Sequence, residues 1–377
     1  MSEQDAVASL EAVDQKSLGF LDGARAVAAL FVVVHHVYLH PPGVDTGRDV
    51  YHWQGAEEIL SVFVWGHFAV SFFIVLSGFC LAIGPVRREM VPSTGDFLIR
   101  RAKRILPPYF GALLLSLVLI ATVVGTKTGT HWDTSLPVTP RSLVCRVLLV
   151  NAFGPDDGLV NHVFWSIAVE WHLYFCFLPL LLLTRRFGWR RILVVLIPLV
   201  YLVARFAQNQ GDSYSIPYLA LFAFGMAAAH LVFSPHLAKL RGRFAWPLWS
   251  LTAFLLFVIP LEILPRVGHS QPYYRLDFLA GVAGALLLVA LCLTPHSKLR
   301  RLLSARPLVY IGGFSYSIYL IHAPMIQIAW QLGINRLGNP RLEFWVLLVT
   351  SLPLAVLAAY LFYLVFERPF LPIKRRV

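Results

Sequence analysis

Two ionisable residues share one face of an otherwise apolar segment near the start of the chain. Arg25 and His36 are eleven positions apart. At about 100° per residue they return to within roughly 20° of each other, about 16 Å apart along a helix. An ionisable residue in a membrane-spanning helix is costly and is a functional candidate by default. Because imidazole can act as a general base, we predict a catalytic role for His36, the alternative being a structural histidine. His35 points about 80° away, and we predict a structural role for it.

A second set of polar residues lies in the fourth apolar segment. Its members recur at every fourth position and form one slowly turning stripe: His162, Ser166, Glu170 and Tyr174. A lone carboxylate in hydrocarbon costs several kcal/mol unless it is paired or protonated. Since Glu170 is expected at a depth similar to that of His36, we predict that its carboxylate orients the imidazole and raises its basicity. The alternative is a structural clamp between helices.

The ninth apolar segment carries a third polar set. Ser315, Tyr319 and His322 are spaced by four and three residues, and this spacing places them on one side of a helix. Their hydroxyl and imidazole groups could bind a hydroxylated substrate. Our candidates for substrate contacts are therefore five residues: Ser166, His172, Tyr174, Tyr319 and His322.

A cluster of basic residues precedes the third apolar segment and contains Arg100, Arg101, Lys103 and Arg104. Guanidinium groups bind phosphates through two parallel hydrogen bonds, so the cluster could hold a phosphorylated substrate. Ordinary cytoplasmic charge next to a membrane explains the cluster equally well. Pro107 and Pro108 are predicted to begin the helix that follows, where a missing N–H costs little.

The elements that would position these residues are membrane helices. Of the 377 residues, 58% are hydrophobic and only 14% are charged, a mixture far from that of soluble domains. A spanning helix needs about twenty mostly apolar residues. This rule predicts an all-α protein with about ten transmembrane helices, near residues 22–40, 60–83, 105–124, 162–184, 190–207, 215–234, 245–264, 274–294, 308–331 and 343–366.

The distribution of charge predicts the topology. Lysine and arginine concentrate in alternate connections, which places both termini in the cytoplasm by the positive-inside rule. The net charge of +12 is therefore attributed to membrane topology, and no nucleic-acid partner is expected. We predict a cytoplasmic segment over 1–20, a membrane domain over 21–370 and a basic cytoplasmic tail over 371–377 that contacts lipid.

Several other kinds of site have no support in the sequence. The four cysteines are scattered without the spacing of metal ligands, and there is no HExxH helix, so we expect no metal. There is also no P-loop, which disfavours ATP-driven transport. The GxSxG elbow of α/β-hydrolases is absent as well. His40 and Asp45 match an HxxxxD spacing but lie in a Pro-Pro-Gly loop, and we do not assign them a function.

Taken together, these segments resemble acyltransferase family 3, in the form without an SGNH domain. LDGARAVAALFVVVHH is similar to the family's LDGLRAxAxLxVxxxH, and FFIVLSGF to FFxLSGF. RRAKRILP resembles RxxRIxP, and FWSIAVEWHLY resembles WSLxxEExxY. SYSIYLIH and the closing ERP agree as well. The resemblance covers Leu21 to Phe370 and departs at Trp171 and His172, where relatives often have glutamate and glutamine.

The resemblance implies a fold of ten helices in the bacterial cytoplasmic membrane and a specific chemistry. The donor would be cytoplasmic acyl-CoA, such as acetyl-CoA, bound as a co-substrate, with no permanently bound cofactor. The acceptor would be a hydroxyl of a glycan, a lipid-linked sugar or a glycosylated metabolite. His36 would be the catalytic base, and Arg25, Arg101 and Arg104 would contact the coenzyme.

Two other functions remain open from the sequence. In a transporter or flippase of lipid-linked glycans, Arg25, His36 and Glu170 would line a proton or substrate path. In a non-catalytic membrane scaffold, all three residues could be replaced without consequence.

Overall fold

The fold of the chain is helical throughout the part that can be described. The computed structural model describes residues 18–44, 50–150, 158–208, 216–235, 252 and 274–371. Within these ranges the regular structure is helical and contains no strand, which confirms the predicted all-α class. The predicted helix at 245–264, residues 1–17 of the predicted N-terminal segment and residues 372–377 of the predicted tail lie outside the described residues.

Twelve α-helices are numbered here in chain order over the described residues. They are α1 (Gly19–Leu39), α2 (His67–Arg88), α3 (Thr94–Leu119), α4 (Pro140–Val147), α5 (Trp165–Phe187), α6 (Trp189–Gln208), α7 (Pro217–Phe233), α8 (Tyr274–Leu293), α9 (Lys298–Leu303), α10 (Arg306–Gly313), α11 (Ser315–Gln331) and α12 (Pro340–Phe362). Short 3₁₀ segments cover Gly55–Trp65, His131–Ser135, His162–Phe164, Ile334–Arg336 and Arg368–Phe370, and π turns extend α3 over Ile120–Val124 and α12 over Tyr363–Glu367.

Six stretches of the described chain are long and apolar enough to cross a membrane. They are Gly19–Leu39, His67–Arg88, Thr94–Val124, His162–Phe187, Leu276–Leu293 and Pro340–Phe370. Helices α6, α7 and α11 coincide with three more of the predicted spans. The protein is thus a multi-pass membrane protein, whereas the count of ten spans and the cytoplasmic position of both termini stay predictions.

Three predicted helices have different bounds from those expected. Pro107 and Pro108 lie inside α3, which begins at Thr94. Interior proline removes a backbone hydrogen bond, and membrane helices tolerate it because neighbouring groups satisfy the freed carbonyl. The predicted helix 60–83 is divided at Gly66, where a Cβ atom would overlap the ring of His35. The predicted helix 308–331 is divided into α10 and α11 at Phe314, whose ψ of 21° is not helical.

The chain forms two compact units. Unit 1 contains residues up to Ala26, Val70–Leu98 and His172–Gly312. In unit 1, α7 packs against α6 and α8. Gly225 of α7 lies directly against the backbone of Val75 in α2, and only glycine permits this approach.

Unit 2 contains Val27–Ala69, Ile99–Trp171 and Gly313–Val377. Helix α11 packs against α12, and most of the side chains of α11 are buried. The apolar majority of these side chains forms the surroundings of the polar residues described next.

Candidate functional site

A cluster of imidazole rings surrounds His36 in unit 2. The ring centroid of His36 lies 4.9 Å from that of His162, 4.9 Å from that of His322 and 5.7 Å from that of His131. The His131 and His162 centroids are 4.6 Å apart. His36 comes from the last turn of α1 and His322 from α11, while the other two belong to 3₁₀ segments. Four separate parts of the chain therefore build one cluster.

Hydrogen bonding determines which nitrogen of His36 carries the proton. His322 Nδ1 lies 2.8 Å from the carbonyl oxygen of Tyr319 and 3.1 Å from that of Ile318. Carbonyl oxygens only accept, so in neutral imidazole this nitrogen is the donor and Nε2 has the lone pair. His36 Nδ1 is 3.0 Å from His322 Nε2 and 3.0 Å from the carbonyl oxygen of Val32, so it donates to both. The lone pair of His36 is consequently at Nε2.

A second hydrogen-bonded group fixes the neighbouring part of α11. The Tyr319 hydroxyl lies 2.6 Å from Ser166 Oγ and donates to the carbonyl oxygen of Val163 at 3.1 Å. Tyr319 and Ser166 are both buried. The same tyrosine supplies the backbone carbonyl that holds His322, so these predicted residues belong to one connected network with His36.

The segment that carries His131 is fixed by the residues next to it. The Trp132 side chain is completely buried and donates from Nε1 to the carbonyl oxygen of Val124 at 2.9 Å. The Thr130 hydroxyl donates to Gln327 Oε1 of α11 at 3.0 Å. The backbone N–H of His131 donates to the carbonyl oxygen of His40. These contacts hold the 3₁₀ segment His131–Ser135 beside α1 and α11.

Asn161 anchors the other histidine that lies in a 3₁₀ segment. Its amide donates to Ser116 Oγ at 3.2 Å and to the carbonyl oxygen of Leu320 at 3.1 Å. His162 follows directly, with Nδ1 3.2 Å from Ser135 Oγ. The His162 side chain is buried, and its Nε2 has no hydrogen-bond partner among the described residues. The cluster therefore includes a buried ring nitrogen without a hydrogen-bond partner among the described residues.

His35 makes different contacts from His36. Its Nδ1 lies 2.6 Å from the carbonyl oxygen of Phe63, and the N–H of Gly66 approaches the same nitrogen at 3.2 Å. Its ring occupies the space that a Cβ of Gly66 would need. These contacts with the preceding 3₁₀ segment suit the structural role predicted for it.

The remaining sequence candidates of unit 2 are Glu170, Arg101 and Arg104, and Glu170 interacts electrostatically with Tyr319 of the network. Within the described residues, the hydrogen-bond partners of His36 do not include Glu170, so the orientation of His36 by this carboxylate stays a prediction. Glu170 and the α3 residues Arg101 and Arg104 are half-buried. Arg104 interacts electrostatically with Glu367, whose buried carboxylate accepts a hydrogen bond from Ser317.

Three sequence candidates belong to unit 1. The Arg25 guanidinium forms a hydrogen-bonded ion pair with the carboxylate of Asp22, and its Nη2 atom lies 3.1 Å from Cys80 Sγ. Tyr174 is buried and its ring meets that of Phe97 edge to face, whereas His172 is exposed. Their predicted roles stay predictions.

Two members of the cluster were not among the predicted site residues. His162 begins the polar stripe of the fourth segment, and its position there is a signal that could have identified it. His131 lies in a long connection without helical periodicity. No spacing rule relates such a residue to α1, so only the folded arrangement reveals it.

Apolar helices of membrane length, together with an imidazole cluster in which His162 and His322 are buried and His36 and His131 are half-buried, define a multi-pass membrane protein with a polar site. A family profile described as an acyltransferase domain matches residues 18–364. The chain belongs to this family, acyltransferase family 3, as its motifs indicated.

Similar proteins carry related names. The chain is 25% identical to the putative peptidoglycan O-acetyltransferase YrhL of Bacillus subtilis, over 93% of this chain and 54% of the relative. It is 26% identical to the acyltransferase MdmB of Streptomyces mycarofaciens, over 93% and 90%. It is 28% identical to the exopolysaccharide production protein ExoZ of Rhizobium meliloti, over 85% and 94%. The chain thus spans about half the length of YrhL and most of the other two, and no solved structure matches it.

Proposed function

We propose that this protein is an O-acyltransferase of the bacterial cytoplasmic membrane. It moves an acyl group, an acetyl group in the simplest case, from cytoplasmic acyl-CoA to a hydroxyl of a glycan, a glycolipid or a glycosylated metabolite. The observation that carries the proposal is the orientation of His36. Its Nδ1 donates to His322 and Val32, so the lone pair needed for proton abstraction is at Nε2.

The reaction is a direct transfer. His36 Nε2 takes the proton of the acceptor hydroxyl while the oxygen attacks the thioester carbonyl carbon. A C–O bond forms, the C–S bond breaks, and the leaving thiolate receives the proton from the imidazolium. The hydrogen bond from His36 Nδ1 to His322 becomes stronger when His36 is positively charged, because charge-assisted bonds are about twice as strong as neutral ones.

Arginine residues are proposed to hold the coenzyme. Arg101 and Arg104 lie on α3, and half-buried guanidinium groups are suited to bidentate contact with phosphate. Arg25 already pairs with Asp22, so a phosphate or pantetheine group would have to share it with that carboxylate.

Two observations support a glycan as the acceptor: the names of the relatives, and the hydroxyl groups of Ser166 and Tyr319. The names of YrhL and ExoZ refer to peptidoglycan O-acetylation and to exopolysaccharide production. Ser166 and Tyr319 are paired hydroxyls next to the histidine cluster and can bind a sugar by exchanging this bond for bonds to it. Tyr174 and His172 stay acceptor contacts proposed from the sequence.

The test uses purified full-length protein in proteoliposomes, with acetyl-CoA carrying a labelled acetyl group. Muropeptides and exopolysaccharide oligosaccharides serve as alternative acceptors, and free thiol and labelled product are measured together. His36→Gln removes the base and is expected to lower the rate by about 10²- to 10⁴-fold. His296→Gln, at an exposed histidine, is the matched control and should keep the native rate.

The result that would overturn the assignment is equally specific. If His36→Gln releases thiol and forms product as fast as the His296→Gln control, His36 is not the base. If the native protein releases no thiol with any acceptor but moves lipid-linked glycans across the bilayer, the transporter alternative replaces the enzyme.

A further inference from the structure

We propose that His36, His131 and His162 form a binding site for one divalent transition-metal ion of the zinc type. Each residue offers one ring nitrogen, and the three nitrogens all lie within 4.8 Å of one another. All three residues belong to unit 2. Three imidazoles with an open fourth position are a recurrent donor set for zinc.

The hydrogen bonds around two of the ligands direct their lone pairs. A metal-bound histidine usually donates from its second nitrogen to a fixed acceptor, which sets the tautomer. His36 donates from Nδ1 to His322 and Val32, leaving Nε2 for a metal. His162 Nδ1 lies 3.2 Å from Ser135 Oγ, a hydroxyl oxygen that can accept a hydrogen bond from it, and in that tautomer the lone pair for a metal is at Nε2. In both residues, therefore, the ring nitrogen that would not bind the metal has a hydrogen-bond partner, as in metal-bound histidines.

The unsatisfied nitrogen of His162 is a second, independent sign of a ligand. A buried polar atom without a partner costs about 1 to 3 kcal/mol, so such atoms call for an explanation. The Nε2 atom of His162 is buried without a hydrogen-bond partner among the described residues, and the ring centroids of His36 and His131 lie 4.9 Å and 4.6 Å from that of His162. A metal ion would satisfy this nitrogen.

The geometry requires only a small contraction. Zinc–nitrogen bonds of about 2.0 to 2.1 Å in a tetrahedron place ligand nitrogens about 3.3 Å apart. The nitrogens here are separated by up to 4.8 Å. Rotations about side-chain bonds can bring them together, because each histidine pivots at its own backbone position while the anchors at Trp132 and Asn161 stay in place.

The chemistry of the donors narrows the choice of ion. Imidazole nitrogens suit zinc, copper, nickel, cobalt and iron, whereas magnesium and calcium prefer oxygen ligands. An ion held by His36 Nε2 would occupy the lone pair that takes the proton in acyl transfer. Zinc binding is therefore expected to inhibit the enzyme, a consequence that rests on the proposed function of His36.

The binding test does not depend on catalysis. Purified full-length protein in detergent, treated with a chelator and then freed of it, is titrated with Co²⁺, whose visible absorption is intense in tetrahedral sites. Zn²⁺ is then added as a competitor. We expect one equivalent of Co²⁺ per chain and its displacement by Zn²⁺. His131→Gln and His162→Gln should each weaken binding by at least tenfold, whereas His296→Gln should bind as the native protein does.

Three outcomes decide the matter, with gel filtration used to confirm that each variant is folded. Native-like binding by folded His131→Gln or His162→Gln protein, or no tetrahedral Co²⁺ spectrum, would overturn the metal site. Loss of binding in both variants but not in His296→Gln would support it. If Zn²⁺ binds with this pattern and thiol release is unchanged at saturation, the metal site stands and the role of His36 as the base fails.

Discussion

The hydrogen bond between His36 and His322 makes a quantitative prediction about catalysis. His322 is a positioning residue, since it acts through His36. We consider His322→Phe, which keeps a ring of similar size but has no acceptor, and His322→Gln, whose amide oxygen can still accept from His36 Nδ1. The His322 side chain is completely buried, so two substitutions of similar volume are needed to separate packing from hydrogen bonding.

The size of the effect follows from the two acceptors of His36 Nδ1. In His322→Phe the contact at 3.0 Å to His322 Nε2 is lost, but the one at 3.0 Å to Val32 remains and still favours the productive tautomer. The lost bond stabilises the charged imidazolium by about 1 to 1.5 kcal/mol more than it stabilises the neutral ring, and this difference is about tenfold in rate. Loss of the base in His36→Gln should cost about 10²- to 10⁴-fold, so the two variants are distinguishable.

The assay measures kcat and KM for acetyl-CoA separately. We expect His322→Phe to lower kcat about tenfold with KM nearly unchanged, because the lost bond matters most when His36 is positively charged. His322→Gln should recover most of kcat. If His322→Phe keeps a kcat within twofold of the native value while it remains folded, or if His322→Gln is as slow as His322→Phe, the hydrogen bond does not support the base and the reasoning is refuted.

Two further predictions concern the donor site and the packing of unit 1. Arg104→Gln should raise KM for acetyl-CoA about tenfold, because a charge-assisted contact with phosphate is lost. Lys103→Gln, at an exposed position of the same helix, should leave KM unchanged. If steady-state kinetics give equal KM values for the two variants, Arg104 does not belong to the coenzyme site. Gly225→Ala should destabilise the protein by about 1 to 3 kcal/mol because its Cβ overlaps the backbone of Val75. Gly84→Ala, where nothing lies near the new atom, should be neutral or slightly stabilising. Thermal unfolding in detergent compares the two, and equal midpoints would contradict the close approach.

The sequence predicts helices better than it predicts their interruptions. Apolar runs of about twenty residues located the helices because hydrocarbon requires each backbone to satisfy its own hydrogen bonds. The break at Gly66 depends on the ring of His35, thirty-one residues earlier, and hydropathy contains no such information. The continuity of α3 through Pro107 and Pro108 was missed because proline favours the first turn of a helix, whereas membrane helices also tolerate it in the interior.

The candidate site shows the same difference between local and long-range information. Helical phase is a local property, so it could distinguish His36 from His35 and identify Tyr319 and His322 as members of one face. Which residues of two different helices lie close together is not a local property. From the sequence, His36 is paired with Glu170 because both are expected at a similar depth in the membrane. In the structure the observed partner of His36 is His322. Depth restricts which groups can meet, but only packing determines which of them do.

The arrangement of the cluster connects the two proposals through a single atom. A base and a metal ligand need the same feature, a neutral imidazole whose lone pair faces an open space while its other nitrogen is held. His322 provides this for His36, so the hydrogen bond that makes His36 a good base also makes it a good ligand. One lone pair cannot serve both at once. Removing His322 should therefore weaken both acyl transfer and metal binding, whereas removing His131 should weaken metal binding and leave the base in place.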